Sequence, residues 1–521
     1  MSVVSKLKSL WPTDLHSRAF RRHLVRVSRP TSGASLILIE AFQPPSNVIA
    51  LSLFAPLLAV DGVQVLAYHQ TIQGPLKRLV ARIRYHANPM GALTDNKLLM
   101  VAPSRAARRR AATAAVEILA GRPDPRQFES LEFEGTTIGD LVYDLYLRRT
   151  NEPTLDLADP RLLDVLTECI AYVCFWTEYF RKHPIEAVCV SHCVYHHGIP
   201  SRIALQHGIP TYQVTAESLY RMTDEFPMAY TDQTLFPEQF RQLDVDYRER
   251  GVEIARERLA KRFAGEVGVD MVYSTASAYG SLPDDENRVL APSDRIKVLV
   301  AAHDFFDSPH SYGTNFYPDF YIWMHRLGEL SQQVNYDWYV KTHPDIQGPG
   351  EEVLAEFVSK YPNFIVLPAE TSHHAIIRDG IDVALTIFGT IGMEYPALGK
   401  PVVNGSRNNP HAAYEFSVTP KDVQEYEQIL LNLGDHLYSP QADQILEYHF
   451  MRRIHQLQTW VFEDYDEYLR RIGGYRESMT TKAYSEYLET YSPERQERIQ
   501  RALQRFLDSS DIRIGRQHFQ D

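Results

Sequence analysis

The sequence of 521 residues predicts an α/β protein of two doubly wound domains facing a cleft, with a helical C-terminal tail. Three observations support this prediction. Short apolar segments of strand length alternate with helical segments in two separate parts of the chain, which is typical of parallel sheets covered by helices. A stretch rich in Pro, Ser and Asp, residues 281–295, separates the two parts. Hydrophobic residues make up 44% of the chain and charged residues 23%, the usual values for a globular protein.

The first domain is predicted to span residues 31–280 and to contain four buried strands. Two of them surround an apolar helix near residues 46–60, and the other two flank a short helix. Gly208 follows that helix, and glycine is favoured just beyond a helix C-terminus. A charged helical insertion is predicted near residues 221–275. The four predicted strands lie at residues 36–40, 63–69, 187–192 and 210–214.

The second domain is predicted to span residues 296–440. Its strands alternate with helical segments, which is typical of a second doubly wound sheet. An amphipathic helix at residues 319–334 follows its first strand. Residues 441–521 are predicted to be helical, and this tail either returns to brace the first domain or forms a plain appendage. The five predicted strands lie at residues 296–303, 337–343, 363–368, 383–388 and 401–404.

Composition and charge exclude several classes of protein. The net charge of −12 disfavours a nucleic-acid-binding protein, since such proteins are usually basic. Four cysteines are too few for a disulfide framework, so a reducing compartment is expected. The longest apolar run, residues 48–60, is shorter than the ~20 residues that a membrane-spanning helix needs, and no secretory signal is evident. We therefore expect a cytoplasmic protein with no nucleic-acid partner and no metal centre.

A phosphate site is predicted at strand ends of the second domain. The segment WYVKTHPD places Lys341 and His343 on one face at the end of a buried strand, and Pro344 stops the strand. His303 follows the first strand of the same domain. Because the carboxyl ends of parallel strands border the ligand crevice, a cation and imidazole donors there suit a phosphate. The alternative is an ordinary strand end with a solvated lysine.

A second signal in this domain is the segment TIFGTIGMEYPALGKPVV, residues 386–403. Gly389 and Gly392 would let backbone amides approach a ligand, and the Thr390 hydroxyl could donate to a phosphate at a helix N-terminus. Glu394 could accept hydrogen bonds from ribose hydroxyls. The alternative is a capped turn between a strand and a helix, with no ligand.

Candidate acceptor and catalytic residues lie in the first domain. Asp140 and Asp144 are four residues apart, so they share one face of a helix, and one of them could act as general base. Arg148 continues that face and could bind an acceptor charge or pair with an aspartate. His196 and His197 follow a predicted strand and are expected to contact the acceptor. The alternative for the helix is a solvated surface.

These motifs occur in one order along the chain, and together they resemble a known family. The blocks at residues 133–151, 190–214, 299–310, 338–345 and 388–403 resemble bacterial surface-carbohydrate and capsular polysaccharide biosynthesis proteins. Those proteins are glycosyltransferases of the GT-B type, with two Rossmann-like domains, and they include the Kdo transferases of capsule assembly. The resemblance covers roughly residues 31–430.

The resemblance implies roles for several residues. The His-Pro pair of these enzymes, here His343 and Pro344, binds the donor's nucleotide phosphate, as does the turn of Gly389, Thr390 and Gly392. The resemblance implies metal-independent transfer from a nucleotide sugar such as CMP-Kdo to a surface polysaccharide or glycolipid, with no other cofactor. It also implies a carboxylate base in the first domain. The acidic-acidic-Gly motif of similar bacterial sialyltransferases has no match here, and the nearest acidic run holds the two aspartates named above.

Two other functions stay open at this point. The first is transfer of a polyol phosphate from a CDP-linked donor, as in teichoic-acid polymerases, which share the two-domain frame and a His-Pro pair. The second is a non-catalytic partner in polysaccharide assembly that keeps the fold without the base. A product assay distinguishes the first alternative, and the failure to bind any nucleotide would favour the second.

The N-terminal segment, residues 1–30, is basic and carries interspersed apolar residues. Basic segments are attracted to anionic lipid, so peripheral association with the inner face of the cytoplasmic membrane is expected. A second basic run, Arg105 to Arg110, could add to this attraction or face an anionic acceptor. The alternative for residues 1–30 is a basic segment packed on the protein surface.

Overall fold

The computed structural model describes residues 14–27, 33–59, 62–70, 74–272, 277–280, 288–342 and 348–520. His343 and Pro344 lie outside the described residues, as do residues 1–13 of the basic segment and 281–287 of the predicted linker. The described part consists of two α/β domains and a helical tail, so the predicted fold class is confirmed.

The first domain contains the strands β1 (Gly33–Glu40), β2 (Gly62–His69), β3 (Leu98–Met100), β4 (Glu132–Phe133), β5 (Thr136–Thr137), β6 (Ile185–Val190), β7 (Thr211–Val214) and β8 (Leu219–Met222). β4 and β5 form a separate hairpin, and the other six form one sheet in the order β3-β2-β1-β6-β7-β8. Only β8 runs antiparallel to its neighbour. The strand order reverses between β1 and β6, and ligands of doubly wound sheets bind beyond the strand ends at such a point.

Helices cover both faces of this sheet because side chains alternate along each strand. Ile37 and Ile39 of β1 point into one core, and Leu36 and Leu38 point into the other. On the first side lie α1 (Leu15–Val27), α2 (Pro45–Leu58), α3 (Pro75–Ala87) and α4 (Pro89–Leu93). On the second side lie α5 (Arg105–Ala120), α6 (Pro125–Glu129), α7 (Gly139–Thr150), α8 (Pro160–Lys182) and α9 (Ile199–Gln206).

In the residues that the structure describes, the region of the predicted charged insertion is mainly helical. It contains a 3-10 turn (Asp232–Leu235), α10 (Phe236–Gln242) and α11 (Val245–Phe263). Gly251 of α11 lies so close to the ring of Phe450 that an added Cβ would be 2.1 Å from it. The insertion therefore packs tightly against the tail rather than standing free in solvent.

The second domain has a smaller sheet of the same kind. Its strands are β9 (Lys297–Ala301), β10 (Asp337–Lys341), β11 (Phe364–Leu367), β12 (Val383–Thr386) and β13 (Val402–Asn404), all parallel, in the order β11-β10-β9-β12-β13. Its helices are α12 (Phe320–Ser331), α13 (Pro349–Lys360), α14 (His373–Arg378), α15 (Ile391–Ala397), α16 (Val423–Leu431) and α17 (Leu433–His436). The order again reverses beside the first strand, between β9 and β12.

The tail returns to the first domain and completes its core. Trp460 is buried and donates from Nε1 to the carbonyl of Thr215 at 2.7 Å. Phe506 and Leu503 pack in the same core as β1. The tail contains α18 (Ala442–Phe450), a π-helical turn (Met451–His455), α19 (Tyr465–Ile472), α20 (Tyr475–Ser478), α21 (Lys482–Glu489), α22 (Pro493–Asp508) and a 3-10 turn (Arg516–Phe519). The tail therefore braces the first domain and is not a plain appendage.

The carboxyl ends of the two sheets approach each other. The loop after β9 reaches the first domain, where Tyr195 donates to Asp307 and Tyr143 to Asp319, at 2.8 and 2.5 Å. The crevices of the two sheets therefore open toward a common interface. Among the described helices, none combines the length and the apolar character needed to cross a membrane.

Candidate active site

The crevice of the first domain contains a hydrogen-bonded pair of a carboxylate and a histidine. Glu40 is the last residue of β1, and His197 lies in the 3-10 turn that follows β6 (Tyr195–Gly198). The switch point of the sheet thus brings them together, with His197 Nδ1 at 2.6 Å from Glu40 Oε1. Ser191 donates to Glu40 Oε2 from its backbone N–H and its hydroxyl, at 3.2 and 2.6 Å. The His197 side chain remains 36% exposed, whereas Glu40 is buried.

The environment of this pair sets its charge. Burial alone would raise the pKa of Glu40, but its bonds to His197 and Ser191 outweigh burial and lower the pKa to about 2. Burial would lower the pKa of His197, but Glu40 outweighs burial and raises it above its ordinary value. The carboxylate is therefore ionised at neutral pH, and the imidazole is a stronger base than a free histidine.

Both segments that carry the pair have an aromatic residue in the left-handed backbone region. Phe42 has φ of 61° and Tyr195 has φ of 56°, a conformation that costs on the order of 1–3 kcal/mol and is enriched at active sites. The Tyr195 hydroxyl is held by Asp307 of the second domain, and Arg148 Nη1 lies 3.6 Å from the same carboxylate. Arg148, predicted to bind the acceptor, thus lies at the domain interface beside the turn that carries His197.

His196 differs from its neighbour in its surroundings. Its ring stacks on Tyr172, with centroids 5.8 Å apart, and its carbonyl accepts a hydrogen bond from Gln70. Burial and the nearby His197 lower its pKa to about 3, so it is neutral. Its Nδ1 has no partner within the described part of the chain. Its predicted contact with the acceptor stays a prediction.

Asp140 lies in the first turn of α7 and forms a buried ion pair. Both of its oxygens accept from Arg202 of α9, at 2.6 and 2.5 Å. Burial raises its pKa, but Arg202 outweighs burial and the pKa is lowered. Asp140 is therefore ionised, yet its two oxygens are already engaged inside the protein.

Asp144, one turn along α7, joins the two domains. Its Oδ1 lies 2.6 Å from Nδ1 of His310, and Nε2 of that ring lies 3.1 Å from Glu129 of α6. All three side chains are at most 2% exposed. Burial alone would lower the pKa of His310, but the two carboxylates outweigh it and raise the pKa to about 10. The group is thus a buried bridge with a cationic imidazole between two carboxylates.

On the second domain, Lys341 ends β10 as predicted. Its side chain is buried, and Nζ donates to the carbonyl of Ala369 at 2.7 Å. Burial lowers its pKa to about 8, so the ammonium is still mostly charged at neutral pH. His373 lies close enough for that charge to help lower its own pKa to about 3, after burial as the main cause.

His303 and the turn after β12 form one hydrogen-bonded unit. His303 Nε2 lies 3.2 Å from the hydroxyl of Thr386, and the same hydroxyl accepts from the N–H of Gly389 at 3.1 Å. The His303 ring stacks on Phe320, with centroids 4.6 Å apart. A Cβ on Gly389 would lie 2.7 Å from the Thr386 hydroxyl, so a side chain at this position would displace that hydroxyl. The end of β9 and the end of β12 thus meet.

The residues after this turn are held by their neighbours. The space beside Gly392 is filled by His411, whose ring atoms would lie 2.3 and 2.4 Å from an added Cβ. The carboxylate of Glu394 accepts from Arg262 Nε at 2.9 Å and from the Tyr279 hydroxyl at 2.8 Å. Thr390 occupies the N-cap position of α15 without a side-chain capping bond. Ligand contacts of Gly392, Glu394 and Thr390 stay predictions.

Glu40 is the functional candidate that the sequence did not identify. It ends the apolar segment LILIE, where the carboxylate interrupts a buried strand. A buried acid at the carboxyl end of the first strand was a usable signal, because that strand borders the crevice of a doubly wound sheet. Its partner is 157 positions away in the chain, so the pairing itself is visible only in the fold.

Comparisons with known proteins give only distant matches. No protein-family model and no curated protein matches the chain. UDP-GlcNAc 2-epimerase from Neisseria meningitidis, bound to UDP-GlcNAc, is 11% identical over 80% of this chain and 97% of that one, with a TM-score of 0.24. The S. aureus protein MnaA with UDP is also 11% identical, over 91% and 97%, with a TM-score of 0.23. A glycosyltransferase from Rickettsia africae is 10% identical over 88% and 100%, with a TM-score of 0.22. At such low identities and TM-scores, no residue role and no ligand can be assigned to this chain from these structures.

Proposed function

We propose that the protein is a glycosyltransferase that moves a sugar from a nucleotide-activated donor to a glycan or glycolipid acceptor. The observation that carries this proposal is the pair of Glu40 and His197. It lies at the switch point of one Rossmann-like sheet, and that crevice opens toward the strand ends of a second sheet. Acceptor activation on one domain and donor binding on the other is the division of labour that this arrangement supports.

The chemistry follows from the hydrogen bond within the pair. Glu40 holds Nδ1 of His197 in the protonated form, which leaves Nε2 to take a proton from an acceptor hydroxyl. The oxygen then attacks the anomeric carbon of the donor, and the bond to the nucleotide phosphate breaks. The carboxylate stabilises the imidazolium that forms, as in other histidine–carboxylate pairs. We therefore assign the general base to His197, with Glu40 as a positioning residue, in place of Asp140 or Asp144.

The second domain supplies the donor side in this proposal. Lys341, His303 and the turn from Thr386 to Thr390 lie at the ends of neighbouring strands, where a phosphate of the donor would bind. The ammonium of Lys341 would stabilise the charge on the departing phosphate. His343 and Pro344 follow directly in the chain and keep their predicted role. The resemblance to capsule enzymes makes CMP-Kdo the first donor to test.

A nucleotide-binding screen tests the proposal. CMP, CDP, UDP and GDP are added to the full chain, and stabilisation is read from the melting temperature. A ligand at 100 times its dissociation constant stabilises a protein by roughly 2.7 kcal/mol, so one nucleotide should give a clear upward shift. The variant His303→Asn should reduce that shift, whereas a change at the exposed His192 should not. No shift with any nucleotide would contradict the proposal.

A further inference from the structure

Two helices of the first domain are strongly basic. α1 and α3 each carry four Lys or Arg residues and no Asp or Glu. The whole chain has a net charge of −12, so positive charge is concentrated on these helices against the overall balance. The basic residues are Arg18, Arg21, Arg22 and Arg26 of α1, and Lys77, Arg78, Arg82 and Arg84 of α3.

The two helices form one continuous surface, which we call the basic face. Both pack against the short helix α4. Arg21 of α1 donates to the side chain of Asn96 at 3.2 Å, and Asn96 lines a surface hollow together with Arg82 and Tyr85 of α3. Cations from both helices therefore border the same patch.

The basic face also exposes large apolar side chains. Leu76 is 74% exposed, Leu79 is 55% and Ile83 is 39%. Their spacing places them in one stripe along α3, beside the cations of the same helix. On α1, Leu15 and Val25 are 76% and 61% exposed. An apolar stripe between cations, left facing solvent, is typical of helices that lie in a membrane interface.

We propose that the basic face docks the protein on an anionic lipid membrane, with the α3 stripe inserted at the level of the head groups. Charge complementarity identifies the occupant, since each of the two helices carries four cations and no carboxylate, and lipid phosphates supply the opposite charge. The inference rests on the charge and the exposure of the basic face, so it stands whether or not the proposed transfer reaction is correct.

The other basic run of the sequence, Arg105 to Arg110, is on the opposite side of the sheet. It begins α5, whose Ala111 and Ala115 pack into the same core as Leu36 and Leu38. Tyr85 of α3 packs into the core on the other side, with Ile37 and Ile39. Because the two helices cover opposite faces of the sheet, we expect a flat bilayer bound at the basic face not to contact α5. This helix therefore provides a matched control with the same change of charge.

Vesicle flotation of the full chain tests the docking. Vesicles of phosphatidylcholine alone are compared with vesicles that also contain phosphatidylglycerol, at low and high salt. Each cation near an anionic surface changes affinity about 5-fold, so Lys77→Glu, Arg82→Glu and Arg84→Glu combined should weaken binding by roughly 100-fold or more. Arg105→Glu, Arg108→Glu and Arg109→Glu combined should change it by less than about 5-fold. Because all six side chains are exposed, unchanged melting temperatures should confirm that both variants fold.

A second variant separates insertion from charge attraction. Leu76→Ser with Leu79→Ser leaves the charge unchanged and should weaken binding about 10-fold. Equal binding to neutral and anionic vesicles, equal losses for the α3 and α5 variants, or full binding by the serine variant would each overturn the proposal. It would also fall if the chain formed a dimer without lipid that the serine variant abolished, because the face would then belong to a second copy.

Discussion

At the scale of single residues, the assignment of the base rests on His197. Replacing His197 with Gln should lower turnover by about 100-fold or more, since a general base contributes 10²–10⁴-fold, and should leave nucleotide binding unchanged. Glu40→Gln should also lower turnover and should move the acidic limb of the pH–rate profile to lower pH, because the raised pKa of His197 depends on that carboxylate. His192→Gln, an exposed change in the same loop, is the control. Normal turnover of the His197 variant would show that another residue is the general base.

The protonation state of Lys341 should make donor binding depend on pH. Its pKa is lowered to about 8 by burial, so the ammonium loses its proton as the pH rises through that value. Nucleotide affinity should therefore fall between pH 7 and 9, by titration calorimetry. Lys341→Met should bind more weakly at pH 7 and should lose this component of the pH dependence. A variant with the wild-type profile would show that Lys341 does not contact the phosphate.

Asp140 distinguishes a structural carboxylate from a catalytic one. Asp140→Asn removes one partner of a buried ion pair and leaves the Arg202 charge uncompensated, which should cost about 3–5 kcal/mol of unfolding free energy. Denaturant titration measures this cost, with Asp164→Asn at an exposed position of α8 as control. If the variant were as stable as the wild type but inactive, the aspartate would be the base that the sequence pattern predicts.

At the scale of elements, the strands and the tail were predictable because each leaves a local pattern. β1, β9 and β12 are short apolar runs next to turn residues, and the tail shows helical periodicity. The functions of side chains at the strand ends were harder to predict from the sequence. The sequence predicts that Gly392 lets its backbone approach a ligand. In the fold, the ring of His411 fills the space beside this glycine. Such contacts join residues from different elements, and no local pattern records them.

The loop between β9 and α12 should make the domain interface sensitive to pH through His310. Its pKa is raised to about 10 in the folded protein, so its contribution to stability is present in full below the unfolded value near 6.5 and is lost as the pH rises toward 10. The difference in melting temperature between the wild type and His310→Gln should therefore shrink from pH 6.5 to pH 10. A difference that stays constant over this range would show that the buried imidazole is neutral.

At the scale of the whole molecule, the sequence predicted two doubly wound domains but not how they meet. The bridge of Glu129, His310 and Asp144 and the bond from Tyr195 to Asp307 connect elements more than 100 residues apart. These contacts place the two crevices at one interface. The proposed reaction depends on that geometry, because the acceptor hydroxyl and the donor phosphate must be held by different domains.

The most direct test of this account is a transfer assay with the full chain, a panel of nucleotide sugars that includes CMP-Kdo, and bacterial surface-glycan acceptors, with products identified by mass spectrometry. We predict that one donor releases its nucleotide and that the acceptor gains one sugar mass through a glycosidic bond. We also predict that His197→Gln, which should still bind that donor, forms the product at least 100-fold more slowly, as expected for loss of a general base. A phosphodiester-linked product, or equal product formation by the wild type and the variant, would contradict the account.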